Sequence, residues 1–207
     1  MKKVFAIAAA LMMLATAANA QSFGAGYVQS TQKYNNTSST ANGFYAGFGY
    51  TADMTPKGSA ISLALNPGIY YEFLSSTSAG SLWLVSGESK TQEHYVNVPL
   101  HVSVGFNFAP TFKLFAYVGP TANVGIASST KSTLSIGGAS GSTEPSDNYK
   151  SGNYGRFDIM LGGGVGAEIM NKFRVNVGYD LGMLDRHNSD NVTLKRNRLT
   201  AGVAFIF

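Results

Sequence analysis

The alternation of large apolar residues with small or polar ones is the feature that most constrains the fold of this chain. In residues 199–207, one face of an extended strand carries Leu199, Ala201, Val203, Phe205 and Phe207, and the other carries Thr200, Gly202 and Ala204. A strand with one bulky apolar face and one small or polar face is typical of a barrel that is surrounded by lipid. We expect Phe205 and the final Phe207 to act as the signal that the barrel assembly machinery recognises.

The same alternation recurs and predicts eight strands. These strands cover residues 22–30, 43–51, 60–73, 93–108, 112–127, 154–169, 173–184 and 199–207. Each run reaches the roughly 9 to 11 residues that a tilted strand needs to cross a bilayer. The fold class is therefore predicted to be all-β, as a single eight-stranded antiparallel up-and-down transmembrane barrel.

The charged residues inside the predicted strands all lie on the face opposite to the aliphatic residues. Together with His101 they form a predicted polar network in the lumen, which comprises Glu72, His101, Lys113, Arg156, Asp158, Glu168, Arg174 and Asp180. The interior of an eight-stranded barrel is just wide enough to be filled by side chains, and buried ions have to be paired. We therefore expect a lumen that is plugged by ion pairs. Glu168 and Arg174, which flank a short turn, should lie within reach of each other.

Alternation alone does not distinguish a membrane barrel from a soluble barrel of the lipocalin type. The uncharged face carries the bulky aliphatic side chains and the charged face is rich in glycine, which suits a narrow lumen inside a lipid-facing wall. Charged residues also make up only 13% of the chain, against about 25% in soluble domains. We therefore favour the membrane barrel, and a soluble periplasmic or secreted barrel stays as the alternative architecture.

The beginning of the chain matches a secretory signal peptide. Lys2 and Lys3 precede an apolar stretch at residues 4–17, and small residues follow at the expected cleavage site. This pattern predicts two segments, a cleaved signal peptide at residues 1–20 and an outer-membrane barrel domain at residues 21–207.

Charge and cysteine content exclude several functions. Without the two lysines of the signal peptide, the formal net charge falls from +4 to +2, and the basic residues are scattered. So small a charge does not indicate nucleic-acid binding. The chain contains no cysteine, which excludes disulfides and zinc–thiolate sites. We expect no metal and no cofactor.

The predicted connections alternate between short and long. The short ones cover residues 52–59, 109–111 and 170–172, and the long, polar ones cover residues 31–42, 74–92, 128–153 and 185–195. Short periplasmic turns and long surface loops are typical of outer-membrane barrels. Pro67, Pro99 and Pro120 interrupt predicted strands, and because each removes a backbone donor we expect bulges or register breaks there.

Three stretches resemble the outer membrane protein beta-barrel domain family, whose members are often described as porin-family or PorT-like. Tyr95-Val-Asn-Val-Pro99-Leu100 is similar to the family's Tyr-x-x-Ile-Pro-Leu strand. The other two stretches are residues 117–120 and the glycine-rich residues 162–168, which lead into the seventh strand. Asn97 and His101 depart from the family pattern. The resemblance implies an OmpX-like or OmpA-like eight-stranded barrel in the cell outer membrane, with prolines as a family trait and no common catalytic residue or ligand.

Two motifs could be mistaken for catalytic or nucleotide sites. His101-Val102-Ser103 has the spacing of outer-membrane lipid A deacylases, but both side chains face the predicted lumen, whereas a lipid-acting nucleophile belongs on the lipid side. Gly162, Gly164 and Gly166 alternate within a strand that no helix follows, which predicts a stripe that makes room for neighbouring Tyr and Arg side chains rather than a nucleotide loop.

These observations predict an integral protein of the cell outer membrane that is not an enzyme. We expect a structural or surface-interaction role in the extracellular loops, a monomer, and outer-membrane lipid and the assembly machinery as partners; the surface ligand is left open. Two alternatives stay open. One is a narrow porin-like channel, and the other is a lipid-modifying enzyme that uses His94 or His187 with serines of the outer loops.

Overall fold

The computed structural model describes residues 20–34, 37–56, 59–83, 85–136, 139–150, 155–186 and 194–207. Within these ranges the strands are β1 (Ala20–Tyr34), β2 (Thr37–Asp53), β3 (Ile61–Leu82), β4 (Val85–Ala109), β5 (Phe112–Ile136), β6 (Ala139–Ser142), β7 (Ser146–Asp147), β8 (Phe157–Ile169), β9 (Phe173–Gly182) and β10 (Leu194–Ile206). The described residues include no helix that is long and apolar enough to cross a membrane. Residues 1–19 lie outside the described part of the chain, so the signal peptide stays a prediction.

Eight of the strands close into a ring. Each strand pairs antiparallel with the next in the order β1, β2, β3, β4, β5, β8, β9, β10. β10 then pairs with β1, with Ser22 opposite Ile206 and Tyr34 opposite Leu194. The short strands β6 and β7 pair with β5. The predicted eight-stranded antiparallel barrel is confirmed.

Short connections gather at one end of the barrel, which we call the turn end. Residues 110–111 join β4 to β5, and residues 170–172 join β8 to β9. Met170 and Asn171 in the second turn have φ values of 56° and 55°, the left-handed region that asparagine tolerates better than most residues. β1 begins and β10 ends here. We call the opposite end the loop end.

The strands continue further at the loop end than the sequence predicts. β3 pairs with β4 as far as Leu82 opposite Val85, and β4 pairs with β5 as far as Val85 opposite Ile136. The prediction of loops at residues 74–92 and 31–42 is therefore wrong for most of both segments. Their Ser- and Thr-rich sequence hides the strands, since water on both faces removes the alternation in hydropathy while the backbone still pairs.

The outward faces carry large apolar side chains that remain exposed on the isolated chain, among them Val118, Val165 and Val203. Aromatic side chains meet near both edges of this apolar band. The pairs are Phe106–Phe108 (4.8 Å between ring centroids) and Phe173–Phe205 (5.6 Å) at the turn end, and Phe44–Phe73 (5.5 Å) and Phe73–His94 (5.2 Å) at the loop end. An apolar wall between two aromatic girdles suits a bilayer.

The register breaks predicted at Pro67, Pro99 and Pro120 are wrong. The register of β3 with β4, of β4 with β5 and of β5 with β8 is the same on both sides of each proline. A proline removes one donor without lengthening the strand, so the neighbouring pairs hold the register. A bulge lies instead where β5 carries Ile126 as an extra residue opposite the junction of His94 and Tyr95.

Candidate functional site in the barrel interior

Glycines on the inward faces of β8, β9 and β10 leave space that tyrosine rings occupy. A methyl group at Gly164 or Gly178 would overlap the hydroxyl oxygen of Tyr117. One at Gly202 would overlap the hydroxyl oxygen of Tyr45. The interior is therefore built from large side chains that face backbone on the opposite wall.

Four charged side chains meet in the middle of the barrel, and we call Glu72, Asp180, Arg196 and Arg198 the central cluster. Glu72 is fully buried; its Oε1 pairs with Arg196, and its Oε2 lies 3.0 Å from Nη1 of Arg198. Arg198 also donates from Nε and Nη2 to Oδ2 of Asp180, at 2.9 and 2.7 Å. Two carboxylates and two guanidinium groups balance in charge, as burial away from water requires.

Neutral side chains complete the hydrogen bonding of the central cluster. Asn97 donates to Oε2 of Glu72 at 2.9 Å, and Asn123 donates to Oδ1 of Asn97 at 2.5 Å. Arg196 donates to Oδ1 of Asn123 at 3.3 Å, and its guanidinium carbon lies 4.1 Å from the centre of the Tyr95 ring. Glu72, Arg196 and Arg198 each contact two or more partners, so these hydrogen bonds hold the cluster in position.

A second ionic group lies nearer the turn end, and we call Lys113, Glu168 and Arg174 the turn-end cluster. Oε2 of Glu168 lies 3.0 Å from Nζ of Lys113 and 3.0 Å from Nη2 of Arg174. Glu168 and Arg174 are directly opposite each other on β8 and β9, which is why a pair across the short turn was expected. The guanidinium of Arg174 also lies 5.2 Å from the centre of the Phe115 ring.

A cavity of about 130 Å³ lies between the two clusters. Its wall includes His101, Tyr45, Tyr70 and Tyr117. The imidazole of His101 stacks on Tyr117 with 5.1 Å between ring centroids, and its Nε2 lies 3.2 Å from Oγ1 of Thr121. A cavity of this size is large enough for water molecules.

Residues from three parts of the chain meet above the central cluster, and we call Glu93, Tyr95, Tyr149 and Arg186 the mouth floor. Arg186 is only 2% exposed. It donates to the hydroxyl oxygens of Tyr95 at 3.1 Å and Tyr149 at 3.5 Å, and Tyr95 donates to Oε1 of Glu93 at 2.9 Å. Burial raises the pKa of the Tyr149 phenol, so the phenol stays neutral. Arg186 and Tyr149 come from connections between strands, so two loops reach into the barrel.

The family model described as "Outer membrane protein beta-barrel domain" matches residues 5–207. This chain belongs to the outer membrane protein beta-barrel domain family. The match confirms the resemblance seen in the sequence and the location in the cell outer membrane. No curated protein matches the chain.

Solved structures of outer-membrane barrels are similar in fold. Ail of Yersinia pestis, solved in complex with the heparin analogue sucrose octasulfate, is 18% identical over 91% of this chain and 99% of its own, with a TM-score of 0.42. Neisserial surface protein A is 14% identical over 89% of this chain and 96% of its own, with a TM-score of 0.46. OprG of Pseudomonas aeruginosa is 11% identical over 92% and 96%, with a TM-score of 0.38.

In this outer-membrane barrel, Arg156 does not join the interior network that the sequence predicts for it. Its side chain is exposed, donates to the backbone oxygen of Ile126 at 3.2 Å and lies 4.4 Å from the centre of the Tyr149 ring. β8 begins at Phe157, so Arg156 lies in the preceding connection, where the period of two no longer assigns a face.

The other predicted interior residues occupy four places. Glu72 and Asp180 belong to the central cluster, Lys113, Glu168 and Arg174 form the turn-end cluster, and His101 lines the cavity between them. Asp158 is fully buried; its Oδ1 accepts the backbone N–H of Leu184 at 3.2 Å, and its Oδ2 has no partner among the described residues.

Arg196, Arg198 and Arg186 are important interior residues that the sequence prediction missed. The last strand was predicted from residue 199, whereas β10 begins at Leu194. Extending the alternation backwards from Thr200 places Arg198 and Arg196 on the inward face, so the signal was present. Arg186 lies outside any strand, and no periodic signal marks it.

The proposed assembly residues lie on the outer surface of the turn end. The rings of Phe205 and Phe207 stack with 6.4 Å between centroids, and the backbone N–H of Phe207 donates to the oxygen of Gln21 at 2.9 Å. Their recognition by the assembly machinery stays a prediction.

Proposed function

We propose that this outer-membrane barrel is a surface-interaction protein that makes contact through the tip of a long extension of β3, β4 and β5. The observation that carries this proposal is Trp83, which is fully exposed at the turn between β3 and β4. Val85, Leu134 and Ile136 are exposed beside it, with Val85 directly opposite Ile136. Clustered exposed apolar side chains mark interaction sites, and tryptophan is enriched among the residues that dominate binding energy.

The extension separates this tip from the membrane. Beyond Leu74, β3 continues for eight residues to Leu82, or about 26 Å at roughly 3.3 Å per residue. Its strands are joined by hydroxyl contacts, such as that of Thr91 with Thr130 at 3.0 Å. A polar extension with an apolar tip suits a contact with a partner at the cell surface rather than with the protein's own bilayer.

Shortening the extension tests this role. Replacement of residues 78–89 by a two-residue Asn-Gly turn removes Trp83 and Val85 from the tip. Thr77 stays opposite Lys90, because a two-residue loop joins paired antiparallel strands. We expect cells that carry the shortened barrel to lose adhesion, and Trp83→Ser alone to weaken it, with unchanged amounts of folded protein in the outer membrane. A shortened barrel that supports every adhesion and envelope-integrity phenotype of the intact protein would contradict the proposal.

We also propose that the central cluster plugs the lumen, so that the protein does not conduct ions. The proposal is supported by the burial and mutual pairing of Glu72, Arg196 and Arg198. Planar-bilayer recordings of the wild-type protein should show no conductance steps. Steps that change with Glu72→Lys or Arg198→Glu, but not with Arg156→Glu outside the lumen, would instead establish the narrow channel.

We further propose that the barrel is a monomer without enzymatic activity. Across the apolar band, each strand of the described ring is paired on both sides, so the part of the barrel in the membrane offers no edge for pairing between copies. His101 contacts Thr121, whereas Ser103 accepts from Asn66 at 2.7 Å, so the two residues of the H-x-S motif have different partners. The alternative histidine His94 contacts the Tyr71 hydroxyl at 2.6 Å, and His187 lies outside the described residues. Lipid A from overexpressing cells should have an unchanged mass spectrum; a new species that His94→Ala abolishes would establish the enzyme.

A further inference from the structure

The barrel interior continues above the mouth floor as a chamber of about 290 Å³ at the loop end. This volume is close to the lower end of the roughly 300 to 1,000 Å³ of small-molecule sites. The chamber is lined from around the ring by hydroxyl and amide groups, which include Gln32, Ser39, Ser76, Thr91, Ser128 and Thr130. The chamber lies beyond the aromatic girdle, so a ligand would enter it from the cell-surface side rather than from the bilayer.

In the mouth floor, the Tyr95 hydroxyl lies between the acid Glu93 and the base Arg186. Glu93 is 8% exposed, and its two carboxylate oxygens accept from Gln32 at 2.7 Å and from Tyr95 at 2.9 Å. Arg186 donates to the other side of the Tyr95 hydroxyl and to the backbone oxygen of Gly155 at 3.3 Å. The floor is therefore neutral overall. Its polar groups are already oriented and removed from water in the folded barrel, before any ligand binds.

The walls add groups that both donate and accept. The hydroxyls of Thr91 and Thr130 contact each other at 3.0 Å, and Nδ2 of Asn148 donates to Oγ1 of Thr130 at 3.0 Å. A hydroxyl can make three hydrogen bonds, so Thr130 keeps one position for a ligand. Ser39 and Ser76 line the same chamber, and the described part of the chain supplies no hydrogen-bond partner for their hydroxyls.

The chemistry of this lining favours an uncharged ligand with several hydroxyl groups. Arg186 uses most of its N–H groups on Tyr95, Tyr149 and Gly155, which leaves little for an anion. Each oxygen of Glu93 accepts one hydrogen bond and keeps a second lone pair for a hydroxyl donor. No three His, Cys, Asp or Glu side chains converge on a metal position within the described residues. Hydroxyl groups of a sugar, which donate and accept together, match the serine and threonine walls.

We propose that the mouth chamber binds a neutral saccharide of one or two rings, with Glu93 as an acceptor on the floor and Thr130 on the wall. This site is distinct from the apolar tip and does not depend on the proposed surface-interaction role. The sugar could come from solution or from the headgroup of a glycolipid in the outer leaflet, and both sources share this chemistry.

The test uses the refolded full-length barrel in phospholipid vesicles, with glucose, galactose, N-acetylglucosamine and maltose as probes in saturation-transfer NMR and calorimetry. We expect binding of at least one sugar, weakened about 5- to 10-fold by Thr130→Val, which is what the loss of one hydrogen bond predicts. Glu93→Gln should weaken the same sugar. Thr133→Val is the matched control, because Thr133 lies on the same strand outside the chamber and should bind like the wild type.

A second arm distinguishes the sources of the ligand. Vesicles that contain lipopolysaccharide should show Thr130-dependent contacts to its sugars if the source is the membrane, and free sugars alone should bind if the source is solution. The absence of Thr130-dependent binding in both arms would overturn the proposal. So would equal losses from Thr130→Val and Thr133→Val when both variants migrate as folded barrels in unheated gels.

Discussion

The central cluster and the turn-end cluster use the same kinds of side chain but differ in their access to water. In the central cluster, the side chains of Glu72 and Arg196 are 0% exposed and that of Arg198 is 8% exposed. In the turn-end cluster, Lys113 and Arg174 are 22% and 17% exposed. The central cluster is balanced, with two acids and two bases, whereas the turn-end cluster has one acid between two bases.

This difference shows how solvent decides which charge balance a barrel tolerates. Attraction and desolvation both grow as the surroundings become less polarisable, so an unbalanced charge deep in the lumen is costly. Near the turn end, Lys113 and Arg174 are partly exposed, so water can solvate the surplus cation. We therefore expect single changes in the central cluster to act more strongly than the same changes in the turn-end cluster.

The largest expected effect comes from Glu72→Gln. Arg196 would lose its carboxylate partner and keep only neutral ones, and breaking a buried pair in this way costs about 3 to 5 kcal/mol. The free energy of unfolding can be measured in urea from the mobility of the folded band on gels. Fluorescence is a poor probe here, because the single tryptophan, Trp83, is fully exposed. Glu88→Gln, on the exposed extension of β4, is the matched control. Equal losses of unfolding free energy from both variants would refute the claim that buried charges matter more than exposed ones.

Replacing Glu72 and Arg196 together should destabilise the barrel less than replacing Glu72 alone. The double variant Glu72→Met/Arg196→Met leaves no unpaired charge at this position, while Arg198 keeps Asp180 at 2.7 Å. Apolar replacement of a buried pair is often neutral, so we expect the double variant to be more stable than Glu72→Gln by about 2 to 4 kcal/mol. The same urea titration measures it. A double variant less stable than Glu72→Gln would mean that the packing around Arg196, rather than its charge, dominates.

The ring of strands could be predicted from sequence because lipid on one side and packed side chains on the other impose a period of two. The same physics explains the errors. Beyond the bilayer, residues 77–81 of β3 are exposed to water on both faces, so their alternation carries no hydropathy signal. Arg196 and Arg198 were missed because the strand was started at residue 199 rather than where its polar alternation begins.

The mouth floor shows a different limit of sequence reading. Tyr149 and Arg186 lie in connections between strands, and their places inside the barrel depend on contacts with Tyr95 that arise only after the ring closes. Arg156 shows the converse error, since a period extended one residue too far assigned an exposed side chain to the lumen.

The salt dependence of the stability loss from Glu168→Gln tests the difference in water access between the two clusters. Loss of the carboxylate that holds both Lys113 and Arg174 should cost about 1 to 2 kcal/mol, less than in the central cluster because all three groups retain some access to solvent. Dissolved salt screens exposed charges more than buried ones, so this loss should shrink as sodium chloride is raised. The loss from Glu72→Gln should stay nearly constant in the same titrations. Equal salt dependence of the two variants would show that water reaches both clusters alike.

Lys113→Met should have the smallest effect. Lys113 and Arg174 contact the same oxygen, Oε2 of Glu168, at 3.0 Å each, so Arg174 keeps that carboxylate paired when the lysine is lost. The change also removes the surplus cation, and methionine preserves most of the apolar stem. We expect a cost below about 1 kcal/mol in the urea titration. Arg198→Met, which leaves Asp180 without its guanidinium partner, is the corresponding change in the central cluster. A loss from Lys113→Met as large as that from Arg198→Met would mean that burial does not separate the two clusters.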